Sequence, residues 1–478
     1  MRKKSGFSRR TFMKTSAAAS AAYAVVPHTV LGANERVLVG VIGVGGKGGG
    51  HCKQFDRMDG CSVIAVSDAD AGRMNGKPGK HCQDMREMLE MKDVDAVVIA
   101  TPNHWHSLAA IWACQAGKHV YVEKPVSHYI WEGRQMCEAR KKYNRIVQTG
   151  TQQLTCPAVQ RCGEDIRAGR YGKIKWVHCF KMHSRGSVGK RSEPMQIPDH
   201  IDYDLWAGPA PKDPIYREKF HYDWHWDLRW GDGEMGNWNV HYTGDLCHML
   251  GFEKLPNSVV SAGGRFLWDD AADAPNMLFS MMDYQGVPVT LEIRDLPVRR
   301  DSNTQAAYRG RRGGNIIMCE KAVIKIARGG GKAYAVDGDG KAGEAIEQYK
   351  GNGGAGHEKN FIRAIQAGDH GQLNAPVEIG HAATGVCHLS TISYLLGKKA
   401  SPDEIRARMD DNEDIRMTVE EQLKQLDALE VDMDRLMLGP KLTFDPDREQ
   451  FVGEHAAEAN KLVRLESRKG FVVPEVRG

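Results

Sequence analysis

The spacing of apolar positions changes character partway along the chain. Residues 36–44 (RVLVGVIGV) form a nearly continuous apolar run that ends in glycines, the pattern of a parallel strand buried on both faces. A helical pattern follows from about His51. Further runs at 62–68 (SVIAVSD), 94–101 (VDAVVIAT) and 119–123 (HVYVE) alternate with helical stretches such as 107–116. A helix over 131–142 and a strand over 145–149 close the unit. Strand and helix alternating at this interval predict an α/β fold beginning with a doubly wound parallel sheet, a Rossmann domain.

Beyond Gly150 the pattern shortens. Alternating strands over 173–179, 276–282 and 287–293, with turn residues between them, predict a second, mostly antiparallel α+β domain. Five prolines from Pro194 to Pro214 mark a long surface loop, the kind of segment that carries function more often than scaffold. Helices are expected over 357–368 and 378–396. In the tail, Thr418 and Glu421 have capping-box spacing ahead of the stripe Val419, Leu423, Leu426 and Met433, which predicts a docking helix. At 478 residues the chain exceeds a single core. The expected division is a leader at 1–33, the Rossmann domain at 34–150, a second domain at 151–400 and a helical extension at 401–478.

Composition narrows the class. Apolar content of 41%, charged content of 26% and a net charge of +4 fit a globular protein and give no footprint for nucleic acid. The basic run at 309–314 (RGRRGG) is flanked by strand-like segments and reads as an exposed turn. Eleven cysteines show neither C-x-x-C pairs nor a scaffold's dense spacing, so they are expected as small buried hydrophobes, with no zinc ribbon and no thiol catalysis. The N-terminus carries SRRTFMK at 8–14, then twelve mixed apolar residues at 15–26. This resembles a twin-arginine export signal and is shorter than the roughly 20 apolar residues a membrane span needs. It implies passage through the twin-arginine (Tat) machinery to the periplasm or beyond, with no permanent membrane anchor.

The chemistry begins at residues 43–48 (GVGGKG), which fit G-x-G-x-x-G after a buried strand and ahead of a helix. There, backbone N–H groups and the positive helix end can face a pyrophosphate. Asp68 ends the next strand about 20 residues on, where a carboxylate binds the adenosine ribose 2'-hydroxyl. No arginine follows it directly, which favours NAD over NADP. The segments TPNHWH (101–106) and Glu123-Lys124-Pro125 end the following strands, at the edge where ligands bind in open α/β sheets. Between His221 and His241 lie Trp224, Trp226, Trp230 and Trp238 among His225, Asp227 and Asp232. Aromatic faces beside hydrogen-bonding groups suit a carbohydrate, and Trp224, His225 and Trp238 are the candidate contacts. A metal site from His221, Asp223, His225 and Glu234 is set aside, because this stretch does not read as a helix and lacks H-E-x-x-H; no metal is expected.

In this order the glycine turn, Asp68, TPNHWH, EKP, Gly-Thr-Gln at 150–152 and HEKNF at 357–361 resemble the Gfo/Idh/MocA family, named for glucose-fructose oxidoreductase and inositol dehydrogenase. The likeness covers nearly all of the chain after the leader. It implies a C-terminal α/β domain whose large open sheet supports the substrate site and often an oligomer contact. Gly43, Gly45, Gly48, Asp68, Thr101, Asn103, His106 and Glu123 become the expected cofactor contacts. Lys124 matches the EKP lysine, expected to touch substrate oxygen and nicotinamide ribose. Where inositol-dehydrogenase relatives carry D-x-x-x-H, this chain has NWNVH at 237–241, making His241 the expected base and Asn237 a departure that can orient substrate but holds no charge.

The implied activity is hydride transfer between tightly bound NAD(H) and a hydroxyl carbon of a sugar, polyol or sugar derivative. Export sharpens this expectation, since outside the cytoplasm a freely dissociating cofactor is lost. An NAD-dependent glycosidase working by transient oxidation and elimination is the alternative, although the G-N-L-Y-P-T-H-like segment of such relatives is not matched. A noncatalytic sugar-binding protein is the third reading, and retention of Lys124 and His241 speaks against it.

Overall fold

The computed structural model describes residues 36–337 and 340–477, so the twin-arginine stretch lies outside the described residues. Six parallel strands form the first sheet: β1 (Val37–Ile42), β2 (Cys61–Ser67), β3 (Lys80–Cys82), β4 (Ala96–Ile99), β5 (His119–Val122) and β6 (Val147–Thr149). Their order is β3-β2-β1-β4-β5-β6, with the switch point between β1 and β4. Alternation within β4 sends Val97 and Ile99 to one face, against helices His106–Gln115 and Ile130–Lys142, and Ala96 and Val98 to the other, against helix Gly46–Asp56. Both faces are covered, which is why the strands read as unbroken apolar runs.

Two details differ from the sequence reading. The helix after the glycine turn begins at Gly46, five residues before the expected His51, because tertiary packing overrides the poor helix propensity of GKGGG. The short β3 and helix Met85–Leu89 carry too few residues for a periodic signal. The first domain is also completed from far down the chain. Helix His357–Ala367 places Phe361, Ile362 and Ile365 on the β1 face, and Phe471, Val473 and Val476 pack on the opposite face.

The second sheet has twelve strands: β7 (Ile174–Met182), β8 (Ser258–Gly264), β9 (Met277–Tyr284), β10 (Val287–Arg294), β11 (Gly313–Cys319), β12 (Ala322–Ala327), β13 (Gly330–Val336), β14 (Ala342–Lys350), β15 (Lys398–Lys399), β16 (Met437–Leu438), β17 (Leu442–Asp445) and β18 (Gln450–Val452). The path runs β14-β13-β12-β11-β7-β10-β9-β8-β16-β15, with β17 also pairing β8 and β18 pairing β17. All pairings are antiparallel except β7 with β10. The 309–314 run forms a turn into β11, with Tyr308 bridged to Arg311. One face packs on helices Pro157–Arg167, Val240–Leu250 and Val377–Leu395. Among the described residues no helix is long and apolar enough to cross a membrane, and all eleven cysteines are buried and unpaired.

The other face is covered by the tail, where Ile415, Val419, Leu423 and Leu426 of helix Glu413–Ala428 meet Trp176, Val260 and Phe279. The docking stripe is thus present, but Thr418 is not its cap. Asn412 caps the helix by accepting from Ile415 N, and Thr418 Oγ1 donates to the Asp414 carbonyl within it. The tail is not uniformly helical either, since β16, β17 and β18 extend the sheet. Beneath the helix, Gln422 Nε2 donates to the buried Glu292 at 2.6 Å, and Arg294 joins Glu292 to Glu421. This polar layer sets the helix's register on an otherwise apolar face.

Leu426 is fully buried in this interface. Leu426→Ala should therefore lower the unfolding free energy by about 2–4 kcal/mol in denaturant titration; a loss under about 1 kcal/mol would show that the tail is not docked as described.

Candidate active site

The carboxyl ends of β1, β2, β4 and β5 open onto a cavity of about 580 Å³. The glycine turn is sterically compelled. Gly43 has φ +79°, and a Cβ there would lie 2.7 Å from the Ala100 carbonyl carbon; at Gly48 a Cβ would lie 1.7 Å from the Gly43 oxygen. At Gly46, by contrast, an added Cβ meets nothing within 4 Å. The start of the helix therefore faces open space, a cradle that fits a pyrophosphate against its N–H groups. Asp68 is held by Val44 N on Oδ2 (2.9 Å) and Asp70 N on Oδ1 (3.0 Å); burial raises its pKa and these N–H groups oppose the rise. Arg73 also lines the cavity beside Gly45 and pairs with Asp70 at 3.6 Å. Its position five residues past Asp68 escaped a search for an arginine directly following that residue.

The two loops beyond β4 and β5 are braced against each other. His106 is buried, with Nδ1 2.6 Å from the Pro125 carbonyl and Nε2 2.9 Å from the Thr101 carbonyl; burial lowers its pKa. Both ring nitrogens are thus engaged by main chain, and His106 acts here as a strut between loops. Asn103 likewise donates to Asp232 at 2.6 Å, while Thr101 Oγ1 is buried without a partner in the cavity wall. Glu123 accepts at Oε1 from Gln152 (3.3 Å), with His51 Nε2 at 2.8 Å and Lys47 at 3.7 Å. Burial opposes its ionisation, but the contact with His51 and the charges of Lys47 and Lys124 outweigh that and hold its pKa well below the carboxylate range.

Lys124, Asn237 and His241 meet in the same cavity. Lys124 Nζ donates to Asn237 O at 2.6 Å and to Asn237 Oδ1 at 3.2 Å; burial lowers its pKa, with Glu123 and Glu234 opposing. Burial, and then the charges of Lys124 and Arg328, push the pKa of His241 well below 6.5, so the imidazole is neutral. Its Nδ1 is buried without a partner. The asparagine now has a physical account. While Oδ1 accepts from Lys124, Asn237 Nδ2 donates to the fully buried Glu234 at 3.4 Å. An ionised aspartate at 237 would set a second carboxylate against Glu234.

The tryptophans divide by role. Trp224, stacked on His225 with ring centres 3.7 Å apart, and Trp238, 5.6 Å from the His241 ring, line the cavity. Trp226 and Trp230 are core, Trp230 packing on Trp206. The proline-rich loop is a strap laid across the first domain. Asp202 N donates to the Ala69 carbonyl (2.9 Å), Ala71 N to the His200 carbonyl (3.0 Å), and His221 Nε2 lies 2.8 Å from Asp70. His104 is packed between the Trp206 and Trp230 carbonyls of the same strap. Leu205, Trp206, His221 and Tyr222 thereby line the cavity that holds Asp68.

The residues considered for a metal are engaged elsewhere: His221 with Asp70, and Glu234 with Arg185 at 3.3 Å. Glu234 does lie near His183 and Asp295, with candidate ligand atoms within 4.8 Å of one another, but Arg185 already supplies a positive charge there. Sequence reasoning also missed Arg328, which reaches the cavity from the turn between β12 and β13, and Lys181, which does not line it but lies 4.7 Å from the centre of the lining Trp238 ring. Neither sits in a recognisable motif, so only the fold brings them to the site.

Comparison with known proteins agrees with this geometry. Residues 37–151 match the Gfo/Idh/MocA oxidoreductase family's NAD-binding Rossmann fold, and residues 174–280 match that family's C-terminal α/β domain. The chain is 32% identical over 172 residues to a myo-inositol 2-dehydrogenase of Thermotoga maritima, covering 35% of this chain and 51% of that protein. It is 32% identical over 122 residues to a glycosyl hydrolase family 109 protein of Shewanella pealeana, covering 23% and 27%. The matches thus span about a quarter to a half of these relatives. The WlbA dehydrogenase of Bordetella pertussis, solved with NADH and UDP-GlcNAcA, shares the fold at TM-score 0.55 and 17% identity, over 75% of this chain and 95% of that one. The chain thus matches both domain models of the Gfo/Idh/MocA oxidoreductase family, the first of them described as NAD-binding, over 37–151 and 174–280.

Two glycine variants separate fold from cofactor cradle. Gly48→Ala, forced against main chain, should cost about 1–3 kcal/mol in unfolding free energy. Gly46→Ala should stay within about 0.5 kcal/mol of wild type or gain stability, yet weaken dinucleotide binding in calorimetry. Equal stability losses would contradict the open cradle.

Proposed function

We propose that this protein is an exported oxidoreductase that transfers a hydride between tightly held NAD(H) and a hydroxyl-bearing carbon of a sugar, polyol or sugar derivative. The observation that carries this reading is the convergence of Lys124 and a neutral His241 on the cavity that begins at the glycine turn. Asp68, presented as an acceptor at the end of β2, supports NAD over NADP, and Arg73 pairs with Asp70 rather than standing free for a 2'-phosphate. The twin-arginine motif supports export.

When bound, the nicotinamide supplies the two-electron acceptor. The chain supplies the rest. His241, neutral and next to Lys124, takes the hydroxyl proton, and the Lys124 ammonium steadies the negative charge growing on that oxygen. Asn237 holds Lys124 in place through two acceptor atoms. Trp224 and Trp238 offer flat faces to the C–H side of a sugar ring. The strap borders the cavity beside Asp68, which supports a cofactor held and regenerated in place. A second reading, redox-neutral glycoside cleavage by oxidation and elimination, is favoured by the likeness to glycosyl hydrolase family 109 proteins, and in it the same base and cation serve.

Three outcomes test these readings. Denatured protein should release NAD detectable by mass spectrometry, and a protein that neither carries nor binds NAD would end the oxidoreductase reading. Bound cofactor should gain reduced-nicotinamide absorbance with a sugar or polyol, and Lys124→Ala should cut kcat/KM by about 10²–10⁴-fold; turnover of glycosides alone, with no net change in cofactor, selects elimination. The pH profile follows from the two shifts. Because the His241 pKa is depressed, its basic form persists and no acid limb should centre on pH 6.5. Because burial lowers Lys124, its proton leaves early, and kcat/KM should fall on the alkaline side below pH 10.5.

A further inference from the structure

The charges at the catalytic end of the cavity restrict which sugars it suits. Arg328 enters there from the turn between β12 and β13, with its main-chain carbonyl pinned by Gln153 Nε2 at 2.9 Å. Its guanidinium carbon lies 5.5 Å from the centre of the Trp238 ring. Among the described residues no carboxylate pairs with it. Of the nearby acids, Glu123 is committed to His51 and Gln152 and Glu234 to Arg185 and Asn237, while burial pushes the pKa of Asp245 up to about 8 against the charge of Arg328. Lys124 finds only the neutral oxygens of Asn237 as acceptors. Two cations therefore share one end of the cavity, neither in an ion pair with a carboxylate among the described residues, and both disfavour a proton on His241.

The dinucleotide does not account for Arg328. Its phosphates belong at the helix start by Gly46 and Lys47, whereas Arg328 enters from the turn between β12 and β13, beside Trp238 and near His241. Lys124 is engaged by the reacting oxygen, which leaves Arg328 for another group of the same molecule. A single planar guanidinium beside an indole matches a carboxylate, which takes two parallel N–H bonds while the attached ring lies on the aromatic face. A phosphate dianion draws several donors, which a lone arginine does not supply. We propose that the substrate is a sugar acid, a uronic or aldonic acid or a glycoside of one, whose carboxylate is bound by Arg328 while Lys124 and His241 act on its hydroxyl carbon. The second half of this statement rests on the oxidoreductase reading; the carboxylate site itself does not.

The test uses the holoprotein and matched ligands: D-glucuronate against D-glucose, methyl glucuronide against methyl glucoside, and glucose 6-phosphate as a separate arm. Binding is read by calorimetry and turnover by the absorbance of bound nicotinamide. The acid of at least one pair should bind tenfold or more tighter than its neutral partner. Arg328→Gln should erase that ratio, and Arg328→Lys should retain part of it. Equal binding within both pairs, an equal loss for acid and neutral ligand in Arg328→Gln, or an Arg328-dependent preference for the phosphate each overturns the proposal. Arg328-dependent binding of the acid without any cofactor reduction would uphold the carboxylate site and remove the oxidoreductase reading.

Discussion

The geometry of the site depends on one buried carboxylate. Asp232, at the end of the strap, accepts from Asn103 at Oδ2 (2.6 Å) and lies 2.8 Å from His128 Nδ1 at Oδ1. Asn103 belongs to the loop after β4 and His128 to the segment that follows Lys124, so one side chain of the second domain fixes two loops of the first. Burial alone would neutralise it. The charge of His128 and the hydrogen bonds it receives outweigh that cost and keep Asp232 ionised. A buried ion held this way specifies position more than it adds stability. It keeps the edge at Asp68 and the wall of Trp224 and Trp238 as two sides of a single space.

This arrangement explains what the sequence could and could not reveal. The parallel strands were legible because burial on both faces leaves unbroken apolar runs, and the glycine turn because main chain touches main chain at Gly43 and Gly48. Lys124, Asn237 and His241 stood in spaced motifs and do meet. His106 and Asn103 were read as ligand contacts because polar residues at a strand's carboxyl end usually face the ligand. Both residues do line the cavity, and their side chains also bind the protein, His106 against two carbonyls and Asn103 through Asp232. Arg73, Lys181 and Arg328 were invisible for the converse reason, since nothing local distinguishes a cation in a turn or strand that faces a site from a solvated one.

The tail shows the same limit on a larger scale. The stripe Val419, Leu423, Leu426 announces an amphipathic helix, but an amphipathic helix does not name its partner. That partner is the face of the large sheet turned away from helices Pro157–Arg167, Val240–Leu250 and Val377–Leu395, and β16 and β17 after the helix pair with β8. Thr418 and Glu421 have the spacing of a cap yet lie inside the helix, because Asn412 offers a side-chain acceptor one and a half turns earlier, where the chain enters. Strands β7, β8 and β9 are thus covered on both faces by the same chain.

The strap also makes one wall of the cavity separable from the rest. Its hydrogen bonds at Ala69, Asp70 and Ala71 lie along the segment just past Asp68, so the cavity is bordered there by a few local contacts. Such contacts open at a free energy of their own, below that of global unfolding. A substitution that loosens them would change how long that wall stays in place while leaving Lys124, Asn237 and His241 where they are.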